Sequence, residues 1–432
     1  MRAGGRVQAA IDILQAIAEQ HRPAPQALAD WGRQHRFAGS GDRAAIGNLV
    51  YDALRRRRSI AWRMGTDAPR ALALGACGAT FDLTVEEIDQ LADGSQHAPA
   101  PLSEDEREGL RRPLDATTPD DVAADVPAWL LEPLQRVFGA RLVEEGQALA
   151  QRATLDLRVN TLRATPEKVA KALHPLRVHA VPLAPHGLRV QPVRDSQRTP
   201  HVEAEPAHGK GWFEVQDAGS QVAAALSGAG PRMQVMDLCA GAGGKTLALA
   251  AMMQNTGQLH AYDADKQRFR PIFARLKRAG ARNVQTLTPG AVDELEALQE
   301  RMHCVLVDAP CSGSGVWRRR PDAKWRLKPQ ALADRIEEQR NVLTQAAKLV
   351  RPGGRLTYVT CSVLPEENVD QIAWFCAQHP DFTTLDYAQA WRDALGDEPP
   401  SSADGRHDTL LLTPASHRVD GFFIALLQRA QA

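Results

Sequence analysis

Beyond Gly211 the chain alternates between short apolar runs and helical segments, and this alternation limits the fold more than any other feature. The runs are "MQVMDLC", "QLHAYDAD", "NVQTL", "HCVLVDAP", "GRLTYVTCS" and, at the end, "FFIALLQR". Strands that alternate with helices form a doubly wound, mainly parallel sheet, and such sheets bind ligands off the carboxyl ends of their strands. Asp237, Asp263, Asp308 and Cys361 all fall at such ends. The search for chemistry therefore narrows to the loops that follow the strands.

The chain has 432 residues, too many for one ordinary core, so two or three domains are expected. From Val7 to about Gly65 the apolar residues Ala10, Ile13, Leu14 and Ile17, then Ile46, Leu49, Val50 and Leu54, keep the helical period. This predicts an all-helical region. It carries the basic run "RRRRSIAWR", Arg55 to Arg63, whose simplest reading is a solvated helix end favoured by the helix dipole and whose alternative is a contact with RNA. Ala98 to Asp121, rich in Pro, Asp and Glu, reads as linker or peripheral loop. After it, "TLDLRVNTLR", "RVHAVPL" and "GLRVQPV" read as strands and "TPEKVAKAL" as a capped helix, a small α+β module. The expected domains are 1–125, 126–205 and 206–432.

Lys and Arg total 52 and Asp and Glu total 52, so any nucleic-acid binding must come from local basic patches. Six cysteines, at 77, 239, 304, 311, 361 and 376, show neither disulfide spacing nor a C-x-x-C pair. No uncharged apolar run approaches the ~18 residues of a membrane span. These features predict a cytoplasmic protein with no membrane or metal partner.

"VMDLCAGAGGKTLALA" is a strand, a loop with Gly241, Gly243 and Gly244, and an apolar helix. The spacing is not that of a P-loop, since Cys239 stands where its first glycine belongs. Nor is it G-x-G-x-x-G, since Thr246 takes the third position. A plain tight turn needs no more than these glycines. The next strand, however, ends in Asp263, placed to accept hydrogen bonds from both ribose hydroxyls, while Asp265 is available as the following helix cap. An adenosine without phosphates fits this pair of features, and S-adenosylmethionine is the common one.

Taken together, "DLCAGAGGKT", "DAPCSGSG", "TCS" and "RVNTLR" resemble the RNA cytosine-C5 methyltransferases of the Sun/Nop family, most closely the bacterial RsmB-type enzymes of 16S ribosomal RNA. The resemblance runs from Arg158 to the terminal "DGFFIALLQR" and includes "FEVQDAGSQ". More loosely, "GDRAAIGNLVYDALRRR" resembles a NusB-like RNA-binding domain. The resemblance implies a C-terminal Rossmann-like α/β methyltransferase domain, a small α+β RNA-binding module and an N-terminal all-α NusB-like domain. It also implies S-adenosylmethionine held by Cys239, Ala240, Gly241, Ala242, Gly243, Gly244, Lys245, Asp263 and Asp308, and RNA, 16S ribosomal RNA in particular, as partner. Two positions depart from the family's usual pattern. Thr288, Pro289 and Gly290 follow the third strand where an acidic residue is usual, with Asp293 beyond, and Ala242 replaces a common proline.

The chemistry gives the two strand-end cysteines a purpose. Carbon 5 of cytosine is a poor nucleophile, and a thiolate added to carbon 6 pushes electron density onto carbon 5; a second group must then remove the carbon 5 proton. By the resemblance Cys361 is the nucleophile and Cys311 assists release, although Pro310-Cys311 also mimics the Pro-Cys pair of DNA cytosine methyltransferases. Asp308 is expected beside the cytosine and Lys245 in the same pocket. Cys77, Cys304 and Cys376 read as small buried hydrophobes. Arg318, Arg319, Arg320, Lys324 and Arg326, interleaved with Trp317 and Trp325, are expected to form a rim that holds single-stranded RNA. The competing readings are a DNA cytosine-C5 methyltransferase and a non-catalytic RNA-binding scaffold that keeps the fold.

Overall fold

Near-continuous apolar runs such as "VLVDAP" make strands only where both faces are covered, and here they are: Val235, Met236, Leu306, Val307 and Leu356 have no exposed surface. The computed structural model describes residues 1–190, 200–290 and 292–431. Two compact units are present: Met1–Arg152 with Trp317–Arg326, and most of the chain from Ala153 onward. Among the described residues no helix is long and apolar enough to cross a membrane.

The second unit holds two sheets. Strands β1 (Leu155–Val159), β2 (His179–Val181), β3 (Ala184–Val190) and β4 (Phe213–Val215) form an antiparallel sheet in the order β2-β3-β1-β4. The fourth strand lies beyond residue 205, where the small module was expected to close, because the fully buried Phe213 packs into the same core as Leu157 and Val159. The strand expected over "GLRVQPV" reaches Val190, and its remainder lies outside the described residues.

The large sheet contains β5 (Gln234–Asp237), β6 (Gln258–Ala261), β7 (Val284–Thr286), β8 (Met302–Asp308), β9 (Val350–Thr360), β10 (Phe382–Thr384), β11 (Leu410–Leu412) and β12 (Phe422–Arg429). Its order is β10-β12-β9-β8-β5-β6-β7, with β11 paired to β12. Strands β5 to β9 run parallel, whereas β12 is antiparallel to β9. From β5 the chain proceeds outward through β6 and β7, then returns to start again at β8 and β9. The strand order thus reverses between β5 and β8, where such sheets open a ligand crevice.

Helical periodicity places Val7, Ile13, Leu14, Ile46, Leu49 and Leu74 in the core of the first unit. Two expectations for this unit are corrected. The segment from Ala98 to Asp121 is not only a loop: Glu104–Arg111 is a helix. Its capping box was readable in "SEDE": the Ser103 Oγ accepts from the Glu106 N–H at 3.1 Å, and the Glu106 carboxylate accepts from the Ser103 N–H at 3.0 Å.

The basic and aromatic run after Cys311 is also not a solvent-facing rim throughout. Trp317 and Lys324 are 1% exposed and Arg318 is 5% exposed. Lys324 Nζ donates to the carbonyls of Arg55 at 3.0 Å and Asp125 at 2.5 Å, and Trp325 Nε1 to that of Leu54 at 2.6 Å. Arg55, at the head of the other basic run, is itself buried and donates to the Arg318 carbonyl at 2.8 and 3.1 Å. These cations turn inward because helix-end and loop carbonyls need donors. Arg319, Arg320 and Arg326 remain exposed. Burial pushes the Lys324 ammonium down to about 8, against the pull of the Asp125 carboxylate.

Lys324→Ala leaves two buried carbonyls without their donor and is expected to cost about 2 to 4 kcal/mol. Arg320→Ala, at an exposed position in the same run, is expected to change stability by no more than about 0.5 kcal/mol. Thermal melting of the two full-length variants checks the contrast.

Candidate active site

Three strand-end loops of the second unit meet at the crevice. The first follows β5. Gly241 and Gly243 have φ of +50° and +86°, a backbone region that side chains disfavour, and a Cβ on Gly243 would meet Ile272 at 2.6 Å. The loop leads into the helix Gly244–Met252. Asp263, buried at the end of β6, holds the loop from below: its Oδ2 accepts the Gly241 N–H at 2.8 Å and its Oδ1 the Asp265 N–H at 2.8 Å. The cap of the helix Lys266–Phe269 is Asp265, which accepts from Gln267 and Arg268. Asp263 is thus not spent on capping.

The family-like motifs of the small sheet brace this loop. Arg158 of "RVNTLR" donates to Gln216 Oε1 at 2.6 Å and to the Gly244 carbonyl at 3.4 Å. Glu214 holds Arg275 at 2.9 Å and Arg278 at 2.6 Å, and Arg275 donates to the Ala242 carbonyl at 2.9 Å. Asn160 ties the carbonyls of Gly211 and Ala279, each at 2.8 Å.

β8 ends in Asp308 and the loop after it carries Cys311, while that after β9 carries Cys361. Lys245 Nζ lies 2.7 Å from Asp308 Oδ2, with the ammonium nearly buried and the carboxylate about a third exposed, and over the Phe422 ring at 5.4 Å. Cys311 Sγ and Cys361 Sγ are 3.4 Å apart. Each cysteine follows its strand by one to three residues, and β8 pairs in parallel with β9 up to Asp308 and Val359. Adjacent parallel strands therefore deliver both thiols to one point.

The electrostatics are set by burial among carboxylates. Asp237, at the end of β5 with no exposed surface, is pushed up to about 7, first by burial and then by the charges of Asp308 and Asp263, against the Thr246 hydroxyl that donates to it at 2.6 Å. Among the described residues its other oxygen has no hydrogen-bond partner. Burial, with Asp263, Asp237 and Asp308 nearby, also pushes the Cys239 thiol up. The Cys311 thiol is raised by its hydrogen bond with Cys361, by burial, and by the charges of Cys361 and Glu367.

Sequence reasoning missed the groups behind the cysteines. Ser314 and Ser362 hydroxyls meet at 2.9 Å, Val363 N–H donates to Ser314 Oγ at 2.8 Å, and Thr360 Oγ1 donates to Asn368 at 2.6 Å. The Gly315 carbonyl accepts from Gly421 N–H at 2.8 Å, and a Cβ on Gly315 would meet the Gly421 oxygen at 2.3 Å. The only signal for these was the motif letters themselves, "SGSG", "PEEN" and "DGFF". Asp293, the acidic residue beyond the third strand, lies exposed in the short helix Val292–Glu296. A cavity of about 700 Å³ elsewhere in this unit, lined by Arg158, His186 and Arg355 among others, touches none of the residues expected to be catalytic.

Residues 228–428 match the family described as 16S rRNA methyltransferase RsmB/F, and 126–195 match the ferredoxin-like domain of RsmF/B-like methyltransferases. A Synechocystis protein named "Probable ribosomal RNA small subunit methyltransferase B" is 33% identical over 311 residues, 70% of this chain and 67% of that protein. The match thus spans about two thirds of the relative. Among solved structures, PH0851 superposes with a TM-score of 0.72 at 24% identity, covering 99% of both chains. NSun6 from Pyrococcus horikoshii, solved with SFG, superposes with a TM-score of 0.61 at 22% identity, covering 71% of this chain and 99% of that one.

Asp237 generates a stability prediction. Its folded value, about 7, lies above the ordinary 3.8, so the folded state holds a proton that the unfolded chain lacks between these values. Stability from this group is full below about pH 4 and falls as pH rises through 7, on the order of 1.4 kcal/mol per unit. Asp237→Asn keeps an acceptor for Thr246 and cannot ionise. The variant is expected to gain on the wild type in melting temperature between pH 5.5 and pH 8; an unchanged difference would show that Asp237 is ionised throughout.

Proposed function

We propose that this protein, which belongs to the 16S rRNA methyltransferase RsmB/F family, transfers a methyl group from S-adenosylmethionine to carbon 5 of a cytosine in small-subunit ribosomal RNA, with Cys361 bonded to carbon 6 during the transfer. The observation that carries this reading is the 3.4 Å contact of two thiols at neighbouring strand ends, beside the Lys245–Asp308 pair. Methyl transfer to a ring nitrogen or an oxygen needs no thiol. Transfer to carbon 5 needs one to activate the ring and a group to resolve the adduct. Work on ribosomal RNA places the protein in the cytoplasm.

The residues present suit the cofactor. The positive-φ glycines let backbone approach a ligand closely, Asp263 keeps lone pairs for ribose hydroxyls, and the loop 239–245 opens onto a helix N-terminus. When bound, S-adenosylmethionine supplies a methyl group on a sulfonium.

Cys361 adds as thiolate to carbon 6, and the pair of the carbon 5–carbon 6 double bond moves to carbon 5. Asp308, balanced by Lys245, accepts a hydrogen bond from the cytosine amino group and, once the ring nitrogen is protonated, from its N–H. Carbon 5 then takes the methyl group. Cys311 begins as the thiol, its proton held partly by the Cys361 charge. Once Cys361 is a thioether that charge is gone, and the Cys311 proton passes to the ring nitrogen. Cys311 then takes the carbon 5 proton, whose bonding pair restores the double bond as the sulfur–carbon 6 bond breaks with its pair returning to Cys361. The ring-nitrogen proton leaves last, so one proton is released per methyl group and both sulfurs return to their starting states.

Incubated with in vitro transcribed 16S rRNA and S-adenosylmethionine, Cys311→Ala is expected to accumulate a protein–RNA adduct that survives denaturing electrophoresis. Cys361→Ala is expected to show neither adduct nor methyl transfer. Reversed results would make Cys311 the nucleophile.

Asp263→Ala removes a charge-assisted acceptor, worth about 1.5 to 3 kcal/mol, together with the anchor of Gly241. S-adenosylmethionine affinity by calorimetry is expected to fall about tenfold or more. Unchanged affinity would refute the cofactor assignment.

A further inference from the structure

The motif "PEEN" after Cys361 has no part in the steps above, yet its second glutamate is fully buried within reach of the other cysteine's loop. The Glu367 carboxylate accepts from the Ser312 N–H at 2.7 Å and from the Ser312 hydroxyl at 2.5 Å. Gln339, on the helix Pro329–Leu349 and also fully buried, donates from Nε2 to Glu367 at 3.1 Å and to the Pro310 carbonyl at 2.9 Å. Pro310 and Ser312 are the two neighbours of Cys311. The backbone on both sides of this thiol is therefore held by one carboxylate–amide pair.

The same glutamate is tied to the other cysteine. Its backbone carbonyl accepts the Tyr358 hydroxyl at 2.7 Å, and Tyr358 lies on β9 three residues before Cys361. A buried carboxylate whose hydrogen bonds, among the described residues, come from a serine and a glutamine is costly to keep. Its return is geometric.

We propose that Glu367, with Gln339, is a positioning residue that holds the Cys311 loop so that this thiol stays against Cys361 while the covalent adduct is resolved. This rests on the covalent reading of the two cysteines. Glu367 does not touch the reacting atoms; it acts through Ser312 and Pro310. Its loss lets the Cys311 loop drift while the Cys361 strand end, fixed by β8 and β12 on either side, stays in place. Attack on carbon 6 then survives and release suffers.

The test is single-turnover kinetics of the full-length protein with in vitro transcribed 16S rRNA and S-adenosylmethionine, following methyl transfer and adduct separately. Glu367→Ala is expected to form adduct at a rate within about threefold of wild type and to resolve it about tenfold to a hundredfold more slowly, the scale of a small misplacement of a reacting group. Glu367→Gln is expected to restore most of the resolution rate, since its amide can accept from Ser312 N–H and Gln339 and donate to the Ser312 hydroxyl. Ser312→Ala, at a half-buried position, gives an intermediate slowing and carries the test if Glu367→Ala does not fold. Unchanged resolution in Glu367→Ala, or in Ser312→Ala should the former not fold, overturns the proposal. So does equal loss of adduct formation and methyl transfer in a variant that melts like wild type. If Cys311→Ala, run in parallel, gives no adduct, the covalent reading has failed and the clamp falls with it, a result distinct from failure of the clamp alone.

Discussion

The contact between the sulfurs of Cys311 and Cys361, 3.4 Å, is the constraint around which the candidate active site is organised. Fifty residues of chain separate the two, and only the parallel pairing of β8 with β9 brings them together. Much of what surrounds the pair serves to hold two loops at one separation: the serine hydroxyls, the glycine pair at 315 and 421, Glu367 with Gln339, and Tyr358. These are costly features, buried polar groups and backbone packed too closely for any Cβ. A core built only for stability would have no use for them.

A second constraint is charge. Asp237, Asp263 and Asp308 stand at the ends of three neighbouring strands; burial raises Asp237 and Cys239, and the charges of Asp263 and Asp308 raise both further. Lys245 pairs with one of them, Asp308, at 2.7 Å, while burial pushes Asp237 up to about 7. Burial and a single ammonium thus give acids of one type different surroundings.

Much of the site was legible in the sequence because its signals are local. A strand followed by a turn places Asp237, Asp263, Asp308 and Cys361 at carboxyl ends without knowledge of the sheet order, and the glycine loop announces itself by its spacing. What the sequence could not show depends on which strands become neighbours. Glu367 and Ser312 meet across 55 residues and only because β8 lies beside β9. The run from Trp317 to Arg326 failed for a different reason: composition does not reveal whether a lysine faces water or two backbone carbonyls, and Lys324 faces carbonyls. The capping box at Ser103, by contrast, was legible and was outweighed by the Pro and acidic content around it. The fourth strand of the small sheet, at 213–215, was hidden because its partner β1 lies across two intervening strands in sequence.

The most direct measurement of the central claim uses RNA in which the target cytosines carry fluorine at carbon 5. Fluorine cannot leave as a proton does, so an adduct formed by attack on carbon 6 and carried through methyl transfer cannot be resolved. Digestion and tandem mass spectrometry of the trapped wild-type complex then identify the attached residue. A cytosine-derived mass on the peptide containing Cys361 is the predicted result. The same mass on the Cys311 peptide, or methylated RNA with no covalent protein at all, would contradict the account.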